Sequence, residues 1–176
     1  MELKKLALPL SDEAVRSLRA GDCVLLSGTV YTARDAAHKR IIEALDRGEK
    51  PPIDLSGTAI YYCGPAPAKE GRAIGPAGPT TSCRMDTYTP RLIAEGLKVM
   101  IGKGQRSDEV MDAIKAHSCV YFAAVGGAAA LLSKHITACE TTAYEDLGAE
   151  AIRRLTLDDF PVTVAADCFG GSIYSR

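Results

Sequence analysis

The residues able to do chemistry fall in three short stretches. In residues 75–86, Thr80, Thr81, Ser82 and Cys83 stand in a row ahead of Arg84 and Asp86, behind two Gly-Pro pairs. Glycine admits positive φ, and proline fixes φ and withholds an N–H, so this loop presents its side chains rather than packing them. Hydroxyls both donate and accept, and a guanidinium grips a carboxylate with two parallel N–H groups; the set suits an oxygen-rich anion. The competing reading is a Gly/Pro-rich turn entering a helix capped by Thr81 or Ser82. In the second stretch, Arg34 and His38 lie four residues apart on one side of a predicted helix. Arg34 falls in its first turn, where the macrodipole disfavours a cation by a few tenths to about 1 kcal/mol. An anion at the free N–H groups would compensate, and a solvated arginine paired to a nearby acid is the alternative. The third stretch, Gly102-Lys103-Gly104, follows a predicted strand and leaves the lysine free to reach into a cleft. The phosphate-loop pattern GxxxxGK[ST] is absent, so nucleotide binding has no support.

Alternating helices and strands must position these residues. The pattern predicts a helix over 11–19 capped by Ser11, then a buried strand over 23–31. Thr32 followed three residues later by Asp35 resembles a capping box, opening a helix that runs to Arg47 and is closed by Gly48. A strand over 58–63, a helix begun by Thr89-Pro90 and ended at Gly96, and a strand over 97–101 follow. Beyond them come a helix over 108–117 capped by Ser107, a strand over 119–125 and an alanine-rich helix over 128–135. Gly126-Gly127, ahead of that last helix, is read as a packing device, since GxGxxG is missing. His117 and His135 fall in last turns, where capping accounts for them. A short helix over 149–155 and a strand over 162–168 complete a layered α/β pattern, with the last pairing antiparallel.

Composition bounds the rest. The 176 residues, 47% hydrophobic and 24% charged, suit one compact domain with a real core. A net charge of −1 leaves no electrostatic footprint for nucleic acid or an anionic membrane. The first ten residues carry neither the apolar run nor the cleavage site of a signal peptide, and no stretch could span a bilayer, so a cytoplasmic location is expected. The six cysteines, at 23, 63, 83, 119, 139 and 168, are dispersed with no CxxC, which predicts free thiols in a reducing compartment and no metal site.

Residues 28–40, 75–86, 100–104 and 124–129 together resemble the β subunit, or C-terminal region, of the class I iron–sulfur hydro-lyases, fumarase and L-tartrate dehydratase. The resemblance implies a swivelling β/β/α domain over residues 1–176 and reversible hydration of fumarate to (S)-malate. It also implies a [4Fe-4S] cluster bound by cysteines of an α subunit rather than by this chain, in an assembly of two α and two β subunits. The isolated chain would be inactive, and its forming a homodimer is left open. Arg34, Arg84 and Lys103 resemble the cations that hold the substrate carboxylates, and Gly78 and Thr81 would shape the pocket. Thr80 resembles the hydroxyl that handles the C3 proton, with His38 as the rival base because its ordinary pKa suits proton transfer better. Residues 31–38 and 125–129 look nearer to the fumarases than to the tartrate enzymes. A non-catalytic anion-binding module is the alternative of another class.

Overall fold

The computed structural model describes residues 2–125 and 127–175. Seven strands form one sheet: β1 (Leu3–Ala7), β2 (Cys23–Thr32), β3 (Ala59–Tyr61), β4 (Val99–Gly102), β5 (Val120–Ala123), β6 (Ile136–Ala143) and β7 (Ile152–Ala166). β2 through β5 pair in parallel, each with the next. β7 runs antiparallel to both β5 and β2, so the pairings close into a ring. β1 extends the ring along β2, and β6 extends it along β7. The register between β2 and β7 shifts at Gly28, whose φ is +123°. A Cβ there would lie 2.9 Å from the Leu8 carbonyl oxygen, so only glycine lets the chain after β1 cross so closely.

Burial on both faces explains the apolar runs of β3, β4 and β5. Tyr61, Ile101, Phe122 and Phe160 face one cluster, shared with Val15 and Leu18 at the helix α1 (Asp12–Arg16). Ile60, Tyr62, Met100 and Tyr121 face the other. That second cluster is covered by α2 (Asp35–Asp46), α3 (Thr89–Ala94) and α4 (Asp108–Ala116). Each large side chain buried this way contributes about 1.5–3 kcal/mol.

Local signals located several elements. Ser11 and Ser107 cap α1 and α4 by accepting the N–H groups of Ala14 and Val110 at 3.1 and 3.3 Å. Gly48 follows α2 and Gly96 follows α3, both at positive φ. β3 to β5 fall within or beside the predicted strands, and α3 starts on Thr89 itself, with Tyr88 at the cap. The predicted helix over 128–135 is four α-helical residues, α5 (Ala129–Leu132), continued by a 3-10 turn, Ser133–His135. Gly126, which was to open it, lies outside the described residues.

Three expectations are corrected. Thr32 caps nothing: it ends β2, where its buried hydroxyl donates to the Ala151 carbonyl at 3.2 Å and accepts the Arg153 N–H at 3.1 Å. α2 therefore begins at Asp35 with Arg34 at its N-cap, one position ahead of the first turn. Residues 149–155 are not a helix. A 3-10 stretch, Glu145–Glu150, broken at Gly148, leads into β7, whose Ile152 and Leu155 pair with β6 and β2. Finally β1 and β6 were not anticipated; β6 is mostly exposed and shows no clean apolar alternation.

Candidate active site

Parallel strands bring whatever follows their carboxyl ends to one end of the sheet. Arg34 comes two residues after β2, and Lys103 directly after β4. The loop 75–86 is stitched across the same end. Thr80 N–H donates to the Tyr62 carbonyl at 2.6 Å, just past β3. Ser82 N–H donates to the Lys103 carbonyl at 2.9 Å, and Ser82 Oγ accepts the Lys103 N–H at 3.0 Å. Tyr61 anchors the loop's start by donating its hydroxyl to the Ala77 carbonyl at 2.6 Å. A Cβ on Gly78 would come within 3.1 Å of the Ala129 Cβ, so this glycine sets how closely α5 approaches the loop. Thr81 is exposed and Thr80 half-buried, and the Thr80 hydroxyl has no hydrogen-bond partner among the described residues.

Arg84 joins this group from the 3-10 turn Ser82–Met85, where its guanidinium pairs with the Asp35 carboxylate in the first turn of α2. Arg34 lies against Gly64, where a Cβ would stand 3.0 Å from its Nη1. Its closest carboxylate is Glu150 at 3.8 Å, beyond hydrogen-bond reach. Lys103 is exposed and forms no ion pair among the described residues. The loop and the start of α2 thus bring Arg34, Arg84, Lys103, Thr80 and Thr81 to one end of the ring.

His38 is placed differently. It is fully buried, and its Nδ1 lies 2.8 Å from the Arg34 carbonyl, which can only accept; the proton therefore sits on Nδ1. The ring packs edge-on to Tyr62 at 5.5 Å and beside Tyr88. Burial pulls its pKa down to about 4, against the Arg34 carbonyl, so the imidazole is neutral. Among the described residues, the buried side-chain nitrogens and oxygens without a hydrogen-bond partner are Arg34 Nε, Asp35 Oδ1 and His38 Nε2. All three belong to one turn of chain. Of the three only Arg34 Nε is a donor that an anion could engage; Asp35 Oδ1 and, with the proton on Nδ1, His38 Nε2 are acceptors.

Two supporting networks were missed. Tyr121 Oη lies 2.8 Å from Ser82 Oγ and 2.7 Å from the Gly104 carbonyl, tying the loop to the chain after β4. Arg106 is buried and donates to Asp86, Tyr62 and Thr89. Asp86 therefore does not face an anion beside Arg84, as its place in the loop suggested. Only the placement of Arg106 just ahead of the Ser107 cap hinted at this partner. Gly102 makes the crossing of the two segments feasible: a Cβ there would fall 2.0 Å from Ser82 Oγ and 2.8 Å from Tyr62 Cδ2. Gly102→Ala is expected to cost about 1–3 kcal/mol of stability by overpacking, seen as a lower urea midpoint. An unchanged midpoint would contradict the tightness of this junction.

The cysteines do not fit a cluster ligand set. Burial pushes the Cys63 and Cys119 thiols up to about 12 and 11, so both are protonated in the free chain. Among the described residues, no three His, Cys, Asp or Glu side chains converge as a metal site would need. Cys83 is exposed within the loop and free of any disulfide. No helix of the described residues is long and apolar enough to cross a membrane.

Comparison with known proteins gives this geometry its context. "Fumarate hydratase class I, aerobic" of Escherichia coli (strain K12) is 40% identical over 153 residues, 86% of this chain and 28% of that protein. "Fumarate hydratase 2" of Leishmania major is 40% identical over 158 residues, 89% of this chain and 28% of its own length. The chain thus spans less than a third of these fumarate hydratases. "Putative L(+)-tartrate dehydratase subunit beta" of Methanocaldococcus jannaschii is 38% identical over 173 residues, 95% of this chain and 89% of that subunit. A family model described as "Fumarase C-terminus" matches residues 1–176, and it is to this family that the chain belongs.

Proposed function

We propose that this chain is the β subunit of an iron–sulfur-dependent hydro-lyase, most directly a fumarate hydratase that interconverts fumarate and (S)-malate. The observation that carries the reading is the placing of Arg34, whose buried Nε donor has no hydrogen-bond partner among the described residues, together with Arg84 and Lys103 at the carboxyl ends of the parallel strands. Three cations suit a dicarboxylate: Arg34 and Arg84 offer planar forks, and Lys103 a mobile point charge. Held this way, the substrate meets fixed positive charge where a carboxylate gains electron density as the C3 proton leaves. The unengaged hydroxyl of Thr80 is assigned to that proton, with Thr81 and Gly78 shaping the pocket around it. His38 holds the Arg34 backbone from beneath; lowered to about 4, its basicity argues against a direct part at neutral pH.

Because its own donor set does not fit the cluster, the proposal assigns the [4Fe-4S] group to a separate α subunit. The relative matched over 89% of its length is named as a β subunit, which supports the division. The closed ring of strands, with helices over one buried face, supports reading residues 1–176 as a single swivelling β/β/α domain. The free thiols of Cys63, Cys83, Cys119, Cys139 and Cys168 suit a cytoplasmic location.

The test is anaerobic co-expression with the α subunit and assay with fumarate and with L-tartrate. Turnover of fumarate by the assembly, and none by the chain alone, is expected. Turnover of L-tartrate only would move the assignment to tartrate dehydratase, the reading favoured by the β-subunit relative. Binding of dicarboxylates without turnover in any assembly would leave an anion-binding module and overturn the enzyme.

A further inference from the structure

Two segments carry candidate cations: Arg84 lies on the loop 75–86, and Lys103 follows β4. Each is clamped a few residues further on by one buried ion pair. Arg106, whose side chain is 1% exposed, donates from Nε to Asp86 Oδ1 at 2.7 Å. Asp86 comes two residues after Arg84, and Arg106 three after Lys103. The other oxygen of Asp86 accepts the Ser107 N–H at 2.7 Å, so both carboxylate oxygens are committed to the second segment. Arg106 Nη2 reaches Tyr62 Oη at 3.1 Å and Thr89 Oγ1 at 3.0 Å. Its guanidinium lies over the rings of Tyr62 and Tyr121, 5.2 and 4.8 Å from their centroids.

We propose that Arg106 is a positioning residue, fixing the separation of Arg84 and Lys103 and thereby the length of diacid the site accepts. The proposal rests on the dicarboxylate reading above. A buried ion pair adds little net stability over a well-packed apolar one, but it holds a single geometry because every alternative leaves a buried charge unpaired. Its fork explains why arginine is needed: one planar group satisfies Asp86, Tyr62 and Thr89 together, while lysine keeps the charge and loses the span. The same Tyr62 receives the Thr80 N–H on its carbonyl and packs its ring against that of His38, so the clamp extends to the other candidate residues.

The test uses Arg106→Lys, which leaves Asp86 a cationic partner, with Asp86→Asn as the second variant should the first fail to fold. In the assembled enzyme the variant is expected to raise KM for the four-carbon diacid about tenfold, with a smaller change in kcat. It should also flatten the preference among malonate, succinate and glutarate as inhibitors. A general loss of packing would reduce the amount of folded enzyme without changing that length preference. In the chain by itself, hydrogen exchange should rise together in residues 81–86 and 103–107. Unchanged KM and length preference, or faster exchange in one segment only, would overturn the proposal. A wild-type assembly that turns over no dicarboxylate would overturn the enzyme reading instead, and the exchange experiment alone then decides whether Arg106 joins the two segments.

Discussion

Replacing Arg84 with methionine in the assembled enzyme is expected to lower kcat/KM for fumarate by about 10²-fold while leaving the melting temperature within about 4 °C. The two halves of that expectation have different causes. A carboxylate held by a guanidinium in a partly desolvated site loses a charge-assisted hydrogen bond and is left unmatched, which costs about 2–5 kcal/mol when one partner is removed. The ion pair that Arg84 makes in the free chain is another matter. Its side chain is 51% exposed and that of Asp35 34%, so solvent screens the pair and its loss costs stability at most about 1 kcal/mol. Asp35 also holds Arg84 in place, and its second oxygen is one of the orphaned atoms. Asp35→Asn should therefore raise KM several-fold without abolishing turnover, because the cation remains but its aim is lost. Undiminished kcat/KM in Arg84→Met would remove this arginine from the substrate and with it the proposed carboxylate clamp.

Arg84 was legible in the sequence, and the reason is local. Its loop is defined by two Gly-Pro pairs, yet neither Gly75 nor Gly78 takes the positive φ that was expected, and Ser82 is packed rather than presented; glycine is needed for close approach instead, since a Cβ on Gly75 would stand 2.3 Å from the Ala66 carbonyl oxygen. Ser11 and Ser107 were readable for the same reason, since a cap acts within four residues. What escaped was decided by distant chain. Thr32 looks like a cap, yet its hydroxyl is claimed by Ala151 and Arg153, more than a hundred residues on. Ile152 and Leu155 have the spacing of a helix turn, but pairing along β2 and β6 outweighs it, and β7 becomes a strand of 15 residues. The candidate site divides in the same way. Arg34 was singled out as a cation at a helix start and Lys103 as a lysine between glycines at a strand end, whereas Arg106 had no motif and Asp86 was grouped with the anion-handling residues of its loop rather than with Arg106. A buried ion pair between two loops leaves no local mark on either.

His38 provides the second large effect. Between pH 7 and pH 4 the folded chain should lose about 3 kcal/mol of stability on account of this one residue. The sign follows from where the proton goes. Burial lowers the folded-state pKa from 6.5 to about 4, so between those values the unfolded chain takes up a proton that the native chain refuses. Stability from His38 is therefore complete above pH 6.5 and is lost progressively as the pH falls toward 4. Carboxylates such as Asp22, held below their ordinary range by hydrogen bonds from Lys4 and the Arg19 backbone N–H, lose their contribution lower in the scale. His38→Asn isolates the effect, since an asparagine amide can still donate to the Arg34 carbonyl but does not titrate. Urea unfolding of the two proteins across this range should give a steep rise with pH for the wild type and a nearly flat line for the variant. The same substitution separates the two candidate bases. If His38 serves only to hold Arg34, kcat/KM of the variant keeps its pH profile. An acid limb near pH 6.5 that disappears with His38→Asn would mean that the imidazole becomes exposed in the assembly, and the proton would then belong to His38 rather than to Thr80.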